Sequence, residues 1–296
     1  MAGMYSQIDS NKWKSYAIVA AFFVVILGIM WFATYFFAGF GEFSIAIAGV
    51  LAIVFALGGY YWGDRLVLSL SHAKPANENE HRFLLNTVEG LAIAAGLPKP
   101  KAYVIEDNAI NAFATGRNPK LSSIAVTTGA LKKLNRVELE GVIAHEMSHI
   151  KNYDIRLATV AVVMVGFVAI LSDILFRGML FGAGGRDDNR GNSGAIIMVV
   201  GIAFAILAPI AVKLLQLALS RKREYLADAT GALLTRYPEG LASALEKIGK
   251  DSNQLQGASE TMATLYIANP FKNISASKLL STHPPLEDRI AKLRAM

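Results

Sequence analysis

Four apolar runs constrain this chain more than any other feature: Ser15 to Phe37, Ser44 to Trp62, Leu157 to Phe176 and Ala195 to Leu219. At 1.5 Å per helical residue they measure roughly 28 to 37 Å, against a hydrocarbon core of about 30 Å. Lipid offers no partner to a backbone N–H or C=O, so runs of this kind cross a bilayer as helices. The expectation is four transmembrane helices in two hairpins. With 53% hydrophobic and 18% charged residues, the chain is too apolar for an ordinary soluble protein. The first run follows Lys12 and Lys14 like a signal peptide, but it is too long and lacks a small-residue cleavage site. It is read as a retained anchor.

Lysine and arginine then set the orientation, because cytoplasmic loops carry the excess. The turn from Ala38 to Phe43 has none, Gly63 to Arg156 has twelve and Ser220 to Met296 has eleven. Both large segments and both termini are therefore expected in the cytoplasm, with the Gly-, Asn- and Asp-rich loop from Arg177 to Gly194 outside. Asp173 and Lys213 fall near the ends of their spans, where snorkelling accounts for them. The expected division is 1–62, the first hairpin; 63–156, the N-terminal half of a catalytic domain; 157–219, the second hairpin; and 220–296, the C-terminal half of that domain. Within the soluble halves, His81 to Ala95 reads as an amphipathic helix ended by Gly96 and Pro98. Lys101 to Ile105 and Ser122 to Thr127 read as strands, with a short edge strand in Asn111-Ala-Phe-Ala-Thr-Gly between them. Asn135 and Glu138 form a capping-box start to the next helix. Further helices are expected over Ser220 to Leu234 and Pro238 to Gly249, and a last one opened by Pro284 and Pro285. The fold class is α+β and mostly α-helical, a zincin-type cytoplasmic domain split by a transmembrane hairpin.

The chemistry is concentrated in His145-Glu146-Met147-Ser148-His149. Five His and thirteen Glu in 296 residues would produce H-E-x-x-H by chance roughly 0.004 times, so coincidence is a poor rival. Residues i and i+4 share a helix face, which lets both imidazoles bind one zinc, while Glu146 stands beside them as general base for the attacking water. With no cysteine, only His and carboxylates are left as strong ligands. A third ligand is needed; the metzincin position, 155, is Ile155. Glu224 in Arg221-Lys-Arg-Glu-Tyr-Leu-Ala-Asp228 has the best context, and Asp228 on the same face can accept a bond from a ligand imidazole. A solvated acidic pair is the alternative. Asp154 is either a second supporting carboxylate or an interfacial charge.

These motifs together resemble the HtpX-type membrane metallopeptidases, zinc gluzincins related to the proteases that process prenylated CaaX proteins. The resemblance covers essentially the whole chain, including Asn111-Ala-Phe, Glu224-x-x-x-Asp228 and the His283-Pro element. It implies a multi-pass endopeptidase of the bacterial cytoplasmic membrane, with one Zn²⁺ per chain, that removes misfolded or damaged membrane proteins under stress. It also implies that Asn111, Ala112, Phe113 and Ala114 belong to an edge strand to which substrate adds by backbone pairing. His283 has three competing roles: donor to the oxyanion of the transition state, zinc ligand, or cap of the terminal helix. The first rests on the resemblance and on the need for a donor opposite the metal.

The expected partners are unfolded membrane proteins and the bilayer; self-association into a homo-oligomer stays open. The net charge of +6 comes without any nucleic-acid motif, so nucleic acid is not expected. An intramembrane protease is disfavoured because Glu138 and Glu140 lie within two turns of His145. A silent scaffold or chaperone with this fold would have no use for Glu146. A transporter would need paired broken helices, which are not evident.

Overall fold

The computed structural model describes residues 43–163, 221–256, 262–268 and 284–296, together with Trp13, Tyr16, Ala17, Ala20, Phe23, Val24, Leu27, Gly28, Trp31 and Gly166. Most of the predicted first and third spans, the whole of the fourth, and His283 thus lie outside the described residues. The second apolar run forms the start of helix α1 (Ser44–Leu70), which continues eight residues past Trp62. From Gly58 the helix reads Gly-Gly-Tyr-Tyr-Trp-Gly-Asp-Arg. Among the described residues, no helix is long and apolar enough to cross a membrane. The Ser71 hydroxyl closes α1 by donating to the carbonyls of Val67 and Leu68, 3.0 Å each.

Then follow β1 (Lys74–Pro75), α2 (Arg82–Ala95), β2 (Lys101–Ile105), β3 (Ala112–Asn118), β4 (Leu121–Thr127), α3 (Thr128–Lys133) and α4 (Arg136–Lys151). After the second apolar region come α5 (Arg221–Thr235), α6 (Pro238–Lys250) and α7 (Leu286–Arg294). The element types match the sequence expectation; β1 and α3 are additional. Gly96 takes the left-handed conformation (φ 67°) that ends α2. Asn135 and Glu138 exchange side-chain and backbone bonds to open α4, at 2.9 and 2.7 Å. Lys247 reaches the same Glu138 carboxylate at 2.7 Å and ties α6 to that start.

The sheet order is β1-β2-β4-β3. β2 and β4 are parallel; β3 and β4 form an antiparallel hairpin with Ala112 opposite Val126 and Ala114 opposite Ile124. Gly116 (φ 139°) is required in that hairpin, since a Cβ there would lie 2.3 Å from the Leu121 carbonyl oxygen. Among the described residues β3 pairs with β4 alone, leaving its other side as a sheet edge. Strand alternation then sorts the core. Ala112, Ala114, Ile124 and Val126 join α2, α4 and α6 in one cluster. Phe113 and Ala125 turn the other way, toward Val67 and Leu68 of α1 and toward Leu265 and Tyr266. The edge strand is thereby held between the metal-motif helix and α1.

Candidate active site

The capped α4 carries His145 and His149 on one face, with their Nε2 atoms 3.1 Å apart and rings nearly perpendicular. Gly231 lets α5 lie directly on this segment, because a Cβ at that position would come within 3.0 Å of the His145 backbone nitrogen. The close crossing brings Glu224 in from the side. Its carboxylate oxygens lie 3.7 Å from His145 Nε2 and 3.6 Å from His149 Nε2. Two ligands each about 2.0–2.1 Å from a tetrahedral metal stand about 3.3 Å apart, so donor atoms spaced 3.1 to 3.7 Å fit one ion. His145, His149 and Glu224 are a group able to bind a metal.

Each imidazole has a carboxylate behind it. Asp228 Oδ1 is 2.9 Å from His145 Nδ1, and Asp154 Oδ2 is 3.1 Å from His149 Nδ1. A proton on each Nδ1 leaves each Nε2 with its lone pair toward the common point, which is the tautomer a metal needs. Asp154 is in turn 3.7 Å from the Arg223 guanidinium. Burial works against the charge on Asp228, but the Arg289 guanidinium and His145 outweigh it and hold the carboxyl at about 2. His149 is likewise disfavoured as a cation by burial, yet Asp154 and Glu224 lift it to about 9. A metal would have to displace that proton.

Glu146 lies beside the ligands and is 2% exposed. Burial, reinforced by the nearby Glu224 charge, raises its carboxyl to about 7 against the opposing pull of His149, Arg289 and the Ala114 backbone. Ala114 and Glu146 line one cavity, where the α4 motif meets the β3 edge. The other predicted edge residues are distributed around it. The Ala112 carbonyl accepts from Ile267 N–H at 3.0 Å. Phe113 stacks edge-on against Tyr266 with centroids 5.2 Å apart. Asn111 precedes the strand; its amide donates to the Ala268 carbonyl at 3.1 Å. The cavity bounded by Ala114, Glu146, Glu224, Leu265 and Ile267 has a volume of about 30 Å³, room for water and not for a peptide.

Two features of this site are absent from the sequence reading. Residues 262–268 cross in front of the edge, and Arg289 of α7 forks onto Asp228 at 2.8 and 2.7 Å. No periodic or motif signal marks either one. They come together only through contacts 61 to 157 residues apart in sequence.

Comparison with known proteins gives the same account. The model of peptidase family M48 matches residues 78–296, which contain every described ligand and supporting residue. A protease HtpX homolog of Dictyoglomus turgidum is 47% identical over 292 residues, covering 99% of this chain and 94% of its own. The corresponding protein of Dictyoglomus thermophilum is 48% identical with the same coverage. The crystal structure of S. mikatae Ste24p superposes with a TM-score of 0.51 at 20% identity, covering 98% of this chain and 67% of that one, a likeness of fold. The paired histidines and the carboxylate of α5 form a group able to bind a metal, and the chain belongs to peptidase family M48 as an HtpX-like metalloprotease, a hydrolase.

Proposed function

We propose that this protein is a membrane-bound zinc endopeptidase that cleaves misfolded or damaged membrane proteins, with its site on the cytoplasmic face of a bacterial inner membrane. The observation that carries the reading is the one cavity lined by His145, His149 and Glu224, by the buried carboxylate of Glu146 and by Ala114 of the strand edge. The donor set is borderline in softness, two imidazoles and one carboxylate without sulfur, and suits Zn²⁺ with one position left for water or substrate. Zinc held there would polarise a carbonyl and make water acidic enough to lose a proton near neutral pH.

The remaining work falls to the chain. A substrate backbone added along β3 passes Ala114 and reaches Glu146, because the two line the same cavity. Glu146, raised toward 7 by burial, takes the proton from the attacking water and passes it to the departing amine. Asp228 and Asp154 keep both histidines in the ligand tautomer throughout. His283, which follows Ser281-Thr282 and precedes Pro284, is assigned to donate to the oxyanion. Pairing by backbone reads little side-chain detail, which suits unfolded segments of many sequences.

The membrane assignment is supported by the four apolar runs and by the aromatic end of the second. Tyr61 and Trp62 are exposed, Arg117 stacks over the Tyr61 ring at 4.6 Å, and Arg156 donates to the Tyr60 hydroxyl at 2.8 Å. Aromatic residues of this kind favour the boundary between lipid and water. The test is incubation of the purified protein with an unfolded polypeptide beside Glu146→Gln. The variant should keep its fold and its zinc while hydrolysis falls by about 10² to 10⁴, as for a lost general base. Equal cleavage by both proteins would reject the mechanism.

A further inference from the structure

Arg289 is wholly buried, at 0% exposure, on the short terminal helix α7. Burying a guanidinium is costly unless its donors are satisfied. Other contacts also dock α7: Leu293 is buried on the same helix, and Arg294 bonds Glu239 and Glu246 at 2.9 Å on the surface. The donors of Arg289 point in two directions. Nε and Nη2 form a fork on Asp228, at 2.8 and 2.7 Å, and Asp228 holds His145 Nδ1. Nη1 donates to the Ile267 carbonyl at 3.1 Å and lies 3.7 Å from the Glu224 carboxylate. Ile267 in turn gives its N–H to the Ala112 carbonyl of the β3 edge, and the neighbouring Ala268 carbonyl is held by Asn111.

We propose that Arg289 is a positioning residue that joins the two halves of the site: through Asp228 it holds the ring of His145, and through Ile267 it holds residues 262–268 against the edge where substrate adds. The second half rests on the reading of β3 as the substrate edge. Because residues 262–268 occupy the Ala112 edge carbonyl and line the cavity, a substrate that pairs there must displace them, and their departure removes one of the bonds that fix Arg289. A lysine cannot reproduce this arrangement. One ammonium can neutralise Asp228, but it lacks the planar fork that reaches Asp228 and Ile267 together.

The test uses the full-length protein with Arg289→Met and Arg289→Lys, reading zinc affinity by titration, hydrogen exchange of residues 262–268, and the split between kcat and KM on an unfolded polypeptide. Arg289→Met should weaken zinc by about 10- to 100-fold, as for other groups behind a ligand, and should speed exchange at Ile267. Arg289→Lys should recover most of the zinc affinity but not the exchange protection, with a lowered KM because the segment yields more readily. Folded Arg289→Met with wild-type zinc affinity and wild-type exchange overturns the proposal. If that variant does not fold, Ile267→Pro removes the N–H to Ala112 and leaves Arg289 in place. It should lower KM without changing zinc affinity, and an unchanged KM overturns the link to the edge. Substrate binding to Glu146→Gln that leaves exchange in β3 and 262–268 unaltered would instead overturn the edge reading, a separate failure from that of the Arg289–Asp228 link.

Discussion

Between α4 and α5 the site is held by buried charge: His145 on Asp228, His149 on Asp154, and Arg289 forked onto Asp228. Along β3 it is held by apolar contact and single backbone bonds: Phe113 on Tyr266, and Ile267 N–H on the Ala112 carbonyl. Charges in a low-dielectric interior tolerate no loss of a partner, because the remaining member is then buried without compensation. An apolar contact and one amide bond can be exchanged for equivalent ones from a peptide at little net cost. The contrast suits the two tasks. On the proposed reading, metal ligands must stay in place during every turnover, and the edge must accept and release many chains.

The largest effects should therefore come from the charged half. Glu224→Ala removes a ligand and should weaken zinc by more than about 100-fold, whereas Asp228→Ala should cost about 10- to 100-fold. Zinc titration of both variants checks the order, and the reverse order would exchange their roles. Neither variant should loosen β3, which hydrogen exchange of residues 112–118 can follow.

Glycines at the two helix crossings sharpen the comparison. A Cβ on Gly141 would lie 2.6 Å from the Leu241 backbone nitrogen of α6, and one on Gly231 would lie 3.0 Å from that of His145. Gly141→Ala must force α4 and α6 apart, at about 1–3 kcal/mol of stability, with zinc affinity retained in the folded protein. Gly231→Ala should cost less in melting temperature and more in zinc affinity, since it displaces His145 relative to Glu224. Equal effects of the two on zinc would mean that the crossing of α5 does not set the ligand geometry.

The smallest expected effect lies at the approach to the edge. Asp251 accepts the Ile110 N–H at 2.8 Å and an ion pair from Lys133 at 3.0 Å, which pins the segment before β3 to the end of α6. Burial opposes its charge, but the bonds from Asn253, Lys133 and Ile110 hold it at about 2, below the ordinary 3.8. A carboxyl lowered on folding adds stability above its unfolded value and loses it as the pH falls through the folded one. The contribution should be complete above about pH 4 and vanish between about pH 4 and 2. Melting temperatures across that range should fall more steeply for the wild type than for Asp251→Asn; parallel curves would show that the bond adds nothing.

The charged half was the more legible in the sequence. H-E-x-x-H forces two ligands onto one helix face, Asn135 and Glu138 announce the start of that helix, and Glu224-x-x-x-Asp228 repeats the i, i+4 logic. Local spacing carries all of this. The strand of Ala112–Asn118 could also be read, but residues 262–268 could not, because they are bends without a period and gain their place from Phe113, Asn111 and Arg289. Nothing local in the sequence distinguishes the buried Arg289 from the exposed Arg294 five residues later. The extension of α1 to Leu70 escaped for a related reason: beyond Trp62 the pattern of Asp64 and Arg65 suggests a surface, and packing of Val67 and Leu68 against Phe113 continues the helix.

The central claim is that one zinc, held by His145, His149 and Glu224, works with Glu146 on a chain laid along β3. Its most direct test is to strip the protein of metal and add zinc back stepwise while measuring both bound metal and cleavage of an unfolded polypeptide. The account predicts no cleavage without metal, a rise that ends at one zinc per chain, and the same binding curve with cleavage lower by about 10² to 10⁴ in Glu146→Gln. Full cleavage by the metal-stripped protein, or activity that tracks zinc equally in wild type and Glu146→Gln, would contradict it.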